Sequence, residues 1–350
     1  MANQRTDIPT KLYVAGVEVV GGGVIATGGV ATRIPVFSGA SAVDGYADFL
    51  WDETNKNLLA GNGFTITAGN HHNIVAGLQH SIDASSHYNA VFGAQVTVIT
   101  GSANMVTAAL ASVTGSLNIV NGQSVNVTGN CNVVNGSLLT VFNSLNPSFI
   151  HGCLVVGDQM TVTGINCAVV GRYHTVGGGW SGVFGETNRS TSTHQLITGK
   201  DAFANLIGQH TQASGMFAVQ GDAQTSRLTV RKQTLNDTQT ELAVDGGTNY
   251  ISSLPNKAYA FEATVVAKQV GSMNHAMYKL TWIEAIGASG ASLVVNGLVK
   301  TIIYESDISW DVDVLADTGV GNPRSRIMVT GVAATTINWL AKVEMTEVTA

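Results

Sequence analysis

Charge is scarce in this chain of 350 residues. Asp, Glu, Lys and Arg make up 11% of it, against roughly 25% in an ordinary soluble domain. The net charge of −6 is spread thinly, with no basic cluster. Nothing is arranged to neutralise a phosphate backbone, which argues against nucleic-acid binding. Long apolar runs are missing too: none approaches the roughly 18 residues of a membrane-spanning helix. The opening residues, MANQRTDIPTKLYV, lack the apolar core of a secretory signal. The expectation is a chain made in a cytoplasm and not inserted in a membrane. Cysteine is limited to Cys131, Cys153 and Cys167, with no CxxC pair. Neither a zinc site nor a disulfide framework is suggested, and reduced, buried thiols are expected. No cofactor is expected.

Glycine is abundant, at 40 residues against 5 prolines, in a sequence that is 45% hydrophobic. That hydrophobic fraction is too high for disorder, and the glycines follow no collagen triplet. Tight turns between short strands, as in a solenoid, account for both. The glycines are also periodic. Gly101, Gly115, Gly122, Gly129 and Gly136, then Gly157, Gly164, Gly171, Gly178, Gly185 and Gly199, are all separated by multiples of seven. Five residues after each phase position stand Val106, Val113, Val120, Val127, Val134 and Val141. The series resumes at Val155, Val162, Val169, Val176 and Val183 and continues at Ile197, with Ser148 and Ser190 as exceptions.

A seven-residue apolar period raises the coiled coil first. Glycine in every heptad would cost a helix about 1 kcal/mol each time, and the remaining Val, Thr, Asn and Ser are poor helix formers. A short strand and a turn per heptad, two such units per coil, is the better reading. Asn104, Asn118, Asn132 and Asn146 recur every fourteen residues, alternating with Ala111, Val125, Leu139 and Cys153. Stacked about 4.8 Å apart, such asparagines can bond along a ladder; solvated turn asparagines are the alternative. Upstream the period is eight, through Gly61, Gly69, Gly77, Ser85, Gly93 and Gly101, with Ile66, Ile74, Ile82, Ala90 and Val98 in register. A sixteen-residue coil leading into a fourteen-residue one is expected. From Asn57 to Gly157 the only charged residue is Asp83. A large uncharged surface marks an interface, which points to several copies around one axis.

The unit Gly115-Ser-Leu-Asn-Ile-Val-Asn and its repeats resemble the head repeats of trimeric autotransporter adhesins, over about residues 61 to 221. The resemblance implies a left-handed parallel β-roll assembled as a homotrimer. The flanks are similar to phage tail proteins instead. ATRIPVF at 31–37 and FLWDETNKNLL at 49–59 resemble the segment before a fibre shaft. ASGMFAVQGDAQ at 213–224 resembles the end of a roll, and LTVRKQT at 228–234 with ELAVDG at 241–246 resembles a linker to a C-terminal domain.

Residues 19–30 form a Gly-rich run without the lysine and helix of a nucleotide loop, so they read as an attachment segment. Phe49 to Leu59 reads as a hairpin. Beyond Gly221 the heptads stop and period-two alternation takes over, at 259–267, 308–314 and 337–345, with further strands at 277–285, 292–304 and 326–330. That pattern predicts an antiparallel, jelly-roll-like β-sandwich. The organisation expected is an N-terminal attachment segment (1–60), a parallel β-roll shaft (61–221), a neck or linker (222–241) and a β-sandwich tip (242–350).

Chemistry is harder to find. Asp311, Asp313 and Asp317 lack the glycine and glutamate of an EF-hand and read as a solvated strand face. His71, His72, His80 and His87 cluster; His71 and His87 would stack in adjacent sixteen-residue coils and, in a trimer, ring an axial ion. Polar turn histidines are the plainer reading, and no metal site is assigned. Asp83, Asp158 and Glu186 are far apart in the shaft. Glu241, Asp245, Glu262, Glu284, Glu305 and Asp307 follow no motif for sugar hydrolysis. The chain is therefore expected to be non-catalytic. Trp310 and Trp339 alternate with Ile and Val and read as core. Trp282, Tyr278, His275 and Asn274, with the loops 271–276 and 287–291, are the candidate receptor contacts, with a core position as the other reading of Trp282. The function expected is a phage tail fibre or tip in the virion tail, with baseplate or tail proteins and a host glycan or protein receptor as partners. A tailspike depolymerase and a bacterial surface adhesin are the alternatives.

Overall fold

A seven-residue unit with one buried valine cannot hold itself together; it must stack on its neighbours. The computed structural model shows that stacking. It describes short segments between residues 12 and 66, and then residues 70–82, 86–99, 101–142, 152–288, 292–318 and 323–349. The described residues are all-β and include no helix, hence none long and apolar enough to cross a membrane. A parallel β-solenoid of about ten turns is the main feature. The chain divides into two compact units, Met1–Asn132 and Val133–Ala350.

In the first unit, Phe49–Asp52 and Asn57–Asn62 form an antiparallel hairpin, as the sequence predicts; residues 53–55 of its turn, and most of the Gly-rich run, lie outside the described residues. Asn57–Asn62 is also the first solenoid rung, pairing in parallel with Ile74–Leu78. Leu58 pairs with Ile74 and Ile74 with Ala90, sixteen residues apart; Ala90 pairs with Met105, fifteen apart; Met105 pairs with Ile119, fourteen apart. A fifteen-residue coil thus mediates between the two periods. Each rung points one apolar residue inward. Val75, Val91, Val106 and Val120 form one column and Ile82, Val98, Val113 and Val127 the other, all buried.

The asparagines are buried and form the ladder. The backbone N–H and Nδ2 of Asn73, Asn89, Asn104, Asn118 and Asn132 both donate to Oδ1 of the asparagine one coil back, at 2.9–3.1 Å. Nδ2 also reaches forward: Asn104 donates to Gly115 O at 2.8 Å and Asn118 to Gly129 O at 2.9 Å. The turn itself is made by a residue with φ near +60°, and it is not glycine: His72, Tyr88, Ala103, Leu117 and Cys131 take that role. Glycine is required elsewhere. At Gly77, φ is +130° and an added Cβ would stand 1.8 Å from Gly93 O, which no side chain survives.

In the second unit Val133 pairs with Leu154, twenty-one residues on, before the fourteen-residue spacing returns from Leu154 to His210. One coil therefore carries an extra half-turn. The heptad count is indifferent to it, but the two columns exchange places. Cys153 stands before Leu154 as Asn132 stands before Val133, where the sequence analysis put Asn146; residues 143–151 lie outside the described residues. The asparagine role passes to other donors. Cys153 Sγ donates to Gly164 O at 3.2 Å, Cys167 Sγ to Gly178 O at 3.1 Å and Gln195 Nε2 to Leu206 O at 2.9 Å, each eleven residues ahead. Both cysteines are buried, outside any disulfide and one coil apart. The neighbouring Cys153 thiol, then burial, push the Cys167 thiol far up.

After the last rung, His210–Ser214, eight strands follow: β1 (Ala223–Thr234), β2 (Thr240–Glu241), β3 (Lys257–Gln269), β4 (His275–Ile286), β5 (Leu293–Glu305), β6 (Asp311–Asp317), β7 (Arg324–Thr330) and β8 (Ile337–Thr349). One antiparallel sheet runs β1-β8-β3-β4-β5, and β1 also pairs with the last rung. A smaller sheet runs β2-β7-β6. The expected strands are all present. The split is five and three strands, and residues 223–234, expected in a linker, form a central pairing strand because Leu228 and Val230 alternate into the shared core.

Two predictions follow from the stacking. Val127→Asp should destabilise the protein by several kcal/mol, because a carboxylate in a fully buried column has no partner there; urea unfolding measures it, and an unchanged midpoint would refute an apolar interior. The second concerns His174. It is buried, with Nε2 3.3 Å from Val170 O, and its Nδ1 accepts the Asn188 N–H at 3.0 Å. One coil on, Asn188 does the same work: Nδ2 donates to Phe184 O and Oδ1 accepts Ala202 N–H, both at 2.9 Å. Burial pushes the His174 imidazole below its ordinary value. Its protonation thus favours the unfolded chain, so stability is intact above about pH 6.5 and falls as pH drops below that. His174→Asn should keep the fold and lessen the loss of melting temperature between pH 7 and 5, as read by thermal unfolding across that range.

Candidate functional site

The residues singled out in the sequence fall into different environments. Tyr278 and Trp282 belong to the core, because period-two alternation on β4 turns both inward. Tyr278 OH donates to Glu305 Oε2 at 3.1 Å and lies 3.3 Å from Trp310 O. Trp282 stacks on Phe261 with ring centroids 4.7 Å apart and donates from Nε1 to Ser325 Oγ at 2.9 Å. Neither offers a face to a receptor, and their assignment as contacts is corrected on that ground. His275 and Asn274 are exposed. His275 stacks on Tyr304 at 4.7 Å, and Asn274 Nδ2 donates to Gln269 Oε1 at 2.9 Å. Residues 289–291 of the second candidate loop lie outside the described residues.

His71 and His87 do stack, with centroids 5.3 Å apart, and His87 Nδ1 accepts the His71 N–H at 3.2 Å. No group of three or more metal-ligating side chains occurs among the described residues.

Tertiary structure assembles a site that the sequence analysis did not name. In the second unit, a pocket of about 320 Å³ lies between the solenoid turns carrying Ser192, Asn205 and Ile207 and the loop residues Thr248, Asn249, Tyr250 and Ser252, with Arg324 in its wall. Arg324 grips Glu241 of β2 through Nε and Nη2, both at 3.1 Å, and reaches Asp317 of β6 through Nη1 at 3.1 Å. Arg326 adds a 2.8 Å bond to Glu241. The Arg324 guanidinium lies over the Tyr250 ring, 4.8 Å from its centroid. Such bidentate and stacked contacts suit a planar guanidinium and fix its position.

The loop opposite is held from within. Asp245 accepts the N–H groups of Gly247 at 2.8 Å and Asn249 at 3.2 Å, and Asn249 Nδ2 at 2.6 Å. The Gly247 N–H, followed by Asn249, keeps the Asp245 carboxyl below the usual range. Asp317, read from sequence as part of a solvated face, is paired, and Glu241 lies 83 residues from Arg324. The one local signal was charge on alternating residues, Arg324 and Arg326, in an otherwise charge-poor chain.

Arg324→Ala should destabilise the fold by about 3–5 kcal/mol, since it leaves the buried Glu241 short of a partner. Denaturant unfolding measures this, and a loss below 1 kcal/mol would show the pair to be dispensable.

No protein-family model matches the sequence, and no curated protein does. Among solved structures, the chain is similar to the tailspike protein gp49 of Acinetobacter baumannii bacteriophage Fri1, a capsular polysaccharide depolymerase. The identity is 7% and the TM-score 0.22, over 83% of this chain and 62% of that one. It is also similar to the tailspike protein of Acinetobacter baumannii phage AM24, at 10% identity and a TM-score of 0.22, over 81% of this chain and 69% of that one. The chain thus spans less than two thirds of the first. The sequence analysis expected a non-catalytic protein. The first of these structures is named as an enzyme, and that expectation is corrected.

Proposed function

We propose that the chain is a phage tail protein of the tailspike kind, which engages and cleaves a host surface polysaccharide. The observation that carries the reading is the pocket at the end of the solenoid. Its wall presents hydroxyl and amide groups from Ser192, Asn205, Thr248, Asn249 and Ser252 beside the aromatic Tyr250, on a rigid support. Fixed aromatic faces with convergent polar groups suit sugar rings, and little ordering entropy is lost on binding. Among the described residues, three carboxylates touch residues that line the pocket: Asp317 and Glu241 through Arg324, and Asp245 through Asn249. A pair of acidic groups is what glycoside hydrolysis needs.

The protein works as a homotrimer in this reading. Ile74, Met105 and Ile119 in the first unit, and Leu154 and Leu196 in the second, expose apolar side chains at one rung position. Packing copies along such columns would remove them from water. The solenoid is the stalk, residues 1–60 attach to the tail or baseplate, and residues 242–350 are the tip domain.

Incubation of the full chain with purified host capsule or lipopolysaccharide tests the activity, and shortened glycans on size-exclusion chromatography are the expected result. Unaltered glycan with no retained protein would overturn the reading. Light scattering should give three times the 36.4 kDa chain mass, and a monomer in dilute buffer would remove the trimer.

A further inference from the structure

One aromatic pair outside the pocket is unaccounted for. Trp180 is 50% exposed, whereas Trp282, Trp310 and Trp339 are buried. Its ring lies parallel to that of His194, with centroids 5.4 Å apart and an interplanar angle of 5°. The two residues are one coil apart. Each takes the turn position of positive φ, and each is tied one coil back by its backbone N–H, Trp180 to Ile165 O at 2.7 Å and His194 to Gly179 O at 3.0 Å. Gly208 fills the same position in the next coil, and an added Cβ there would meet nothing within 4 Å. The stack therefore ends on open space. His194 is two residues from Ser192, and Gly208 adjoins Ile207, and both Ser192 and Ile207 line the pocket.

The chemistry of this edge is specific. Two flat rings, already fixed to their rungs, present an apolar face to solvent, and a pyranose offers a matching C–H face. Next to them are hydroxyls and amides. Among the described residues that line the pocket, Arg324 is the one charged group. Its guanidinium is divided between Glu241 and Asp317 and covered on one side by Tyr250, so it has little to give an anionic sugar.

We infer that the Trp180–His194 stack and the pocket form one groove for an uncharged glycan, with Trp180 as an outer sugar subsite. The inference rests on the glycan-engaging reading above and adds the ligand class and the residue that extends the site. Position 180 also provides its own control. Asn166 occupies the equivalent turn one coil earlier with φ of +54°, so Trp180→Asn places a residue there that the turn already accepts.

The test uses the full-length chain with two probes, oligosaccharides from a neutral bacterial capsule and oligosaccharides from a uronate-containing capsule. Affinity is read by calorimetry and by tryptophan emission. The wild type should bind the neutral set, with a change in emission. Trp180→Asn should weaken binding about tenfold or more, the equivalent of roughly 1.4 kcal/mol, and abolish most of the emission change at an unaltered melting temperature. Trp180→Phe should restore most of the affinity without the emission signal. Neutral binding that is the same in wild type and Trp180→Asn would overturn the subsite while leaving the proposed function standing. Preference for the uronate set would overturn the ligand class. Binding of neither set, together with no cleavage of host glycan, would overturn the proposed function itself.

Discussion

The solenoid depends on a buried corner carbonyl that must be met in every coil. A short coil brings backbone C=O groups inward where water does not reach, and an unmet one costs roughly 1–3 kcal/mol. The chain answers with a buried side-chain donor that reaches about eleven residues ahead. Asn104 and Asn118 do this in the first unit, and Cys153, Cys167 and Gln195 in the second. Asparagine does more than the others, because its oxygen also receives two N–H groups from the next coil. That saturation is why a charge-poor sequence can form regular rungs without helices or disulfides among its described residues.

Regular rungs decide what is left outside. Alternation hides one valine per strand and exposes its neighbours, so the same position is exposed in coil after coil. Apolar side chains there form columns, and aromatic ones at the turns form stacks. His71 on His87, His72 on Tyr88 and Trp180 on His194 are all products of coil spacing. The pocket draws on that regularity on one wall and on an irregular loop on the other. The loop keeps its shape through Asp245, and the wall through Arg324. Preorganisation of this kind is what a binding surface for flexible sugars requires.

Local repetition made much of the fold legible. The valine period located both interior columns from Val106 onward, but the octad count put Ile74 and Ala90 where Val75 and Val91 point inward, because a sixteen-residue coil is divided nine and seven rather than evenly. The asparagine period located the ladder, and alternation located the strands from Lys257 to Thr349. Legibility ended where one pattern served two structures. The extra half-turn before Leu154 is invisible to a heptad count, so Cys153 was assigned to the wrong column. Alternation says that Trp282 faces one side of β4 but not which side is covered, and the smaller sheet covers it. The site was less legible still. The fourteen-residue separation of Trp180 and His194 would have revealed their stack, had aromatic residues been placed on the repeat.

The sequence by itself determined a charge-poor, all-β chain, its coil lengths on either side of the octad-to-heptad change, and the inward-facing valines of its heptads. These are properties of neighbours along the chain, and period alone encodes them. Only the tertiary structure decided which donor replaces asparagine in each coil, that Tyr278 and Trp282 are core, and that Glu241, Asp317 and Arg324 meet beside Tyr250. Those outcomes depend on strand register and sheet packing across as many as 83 residues, and no short-range pattern carries that information.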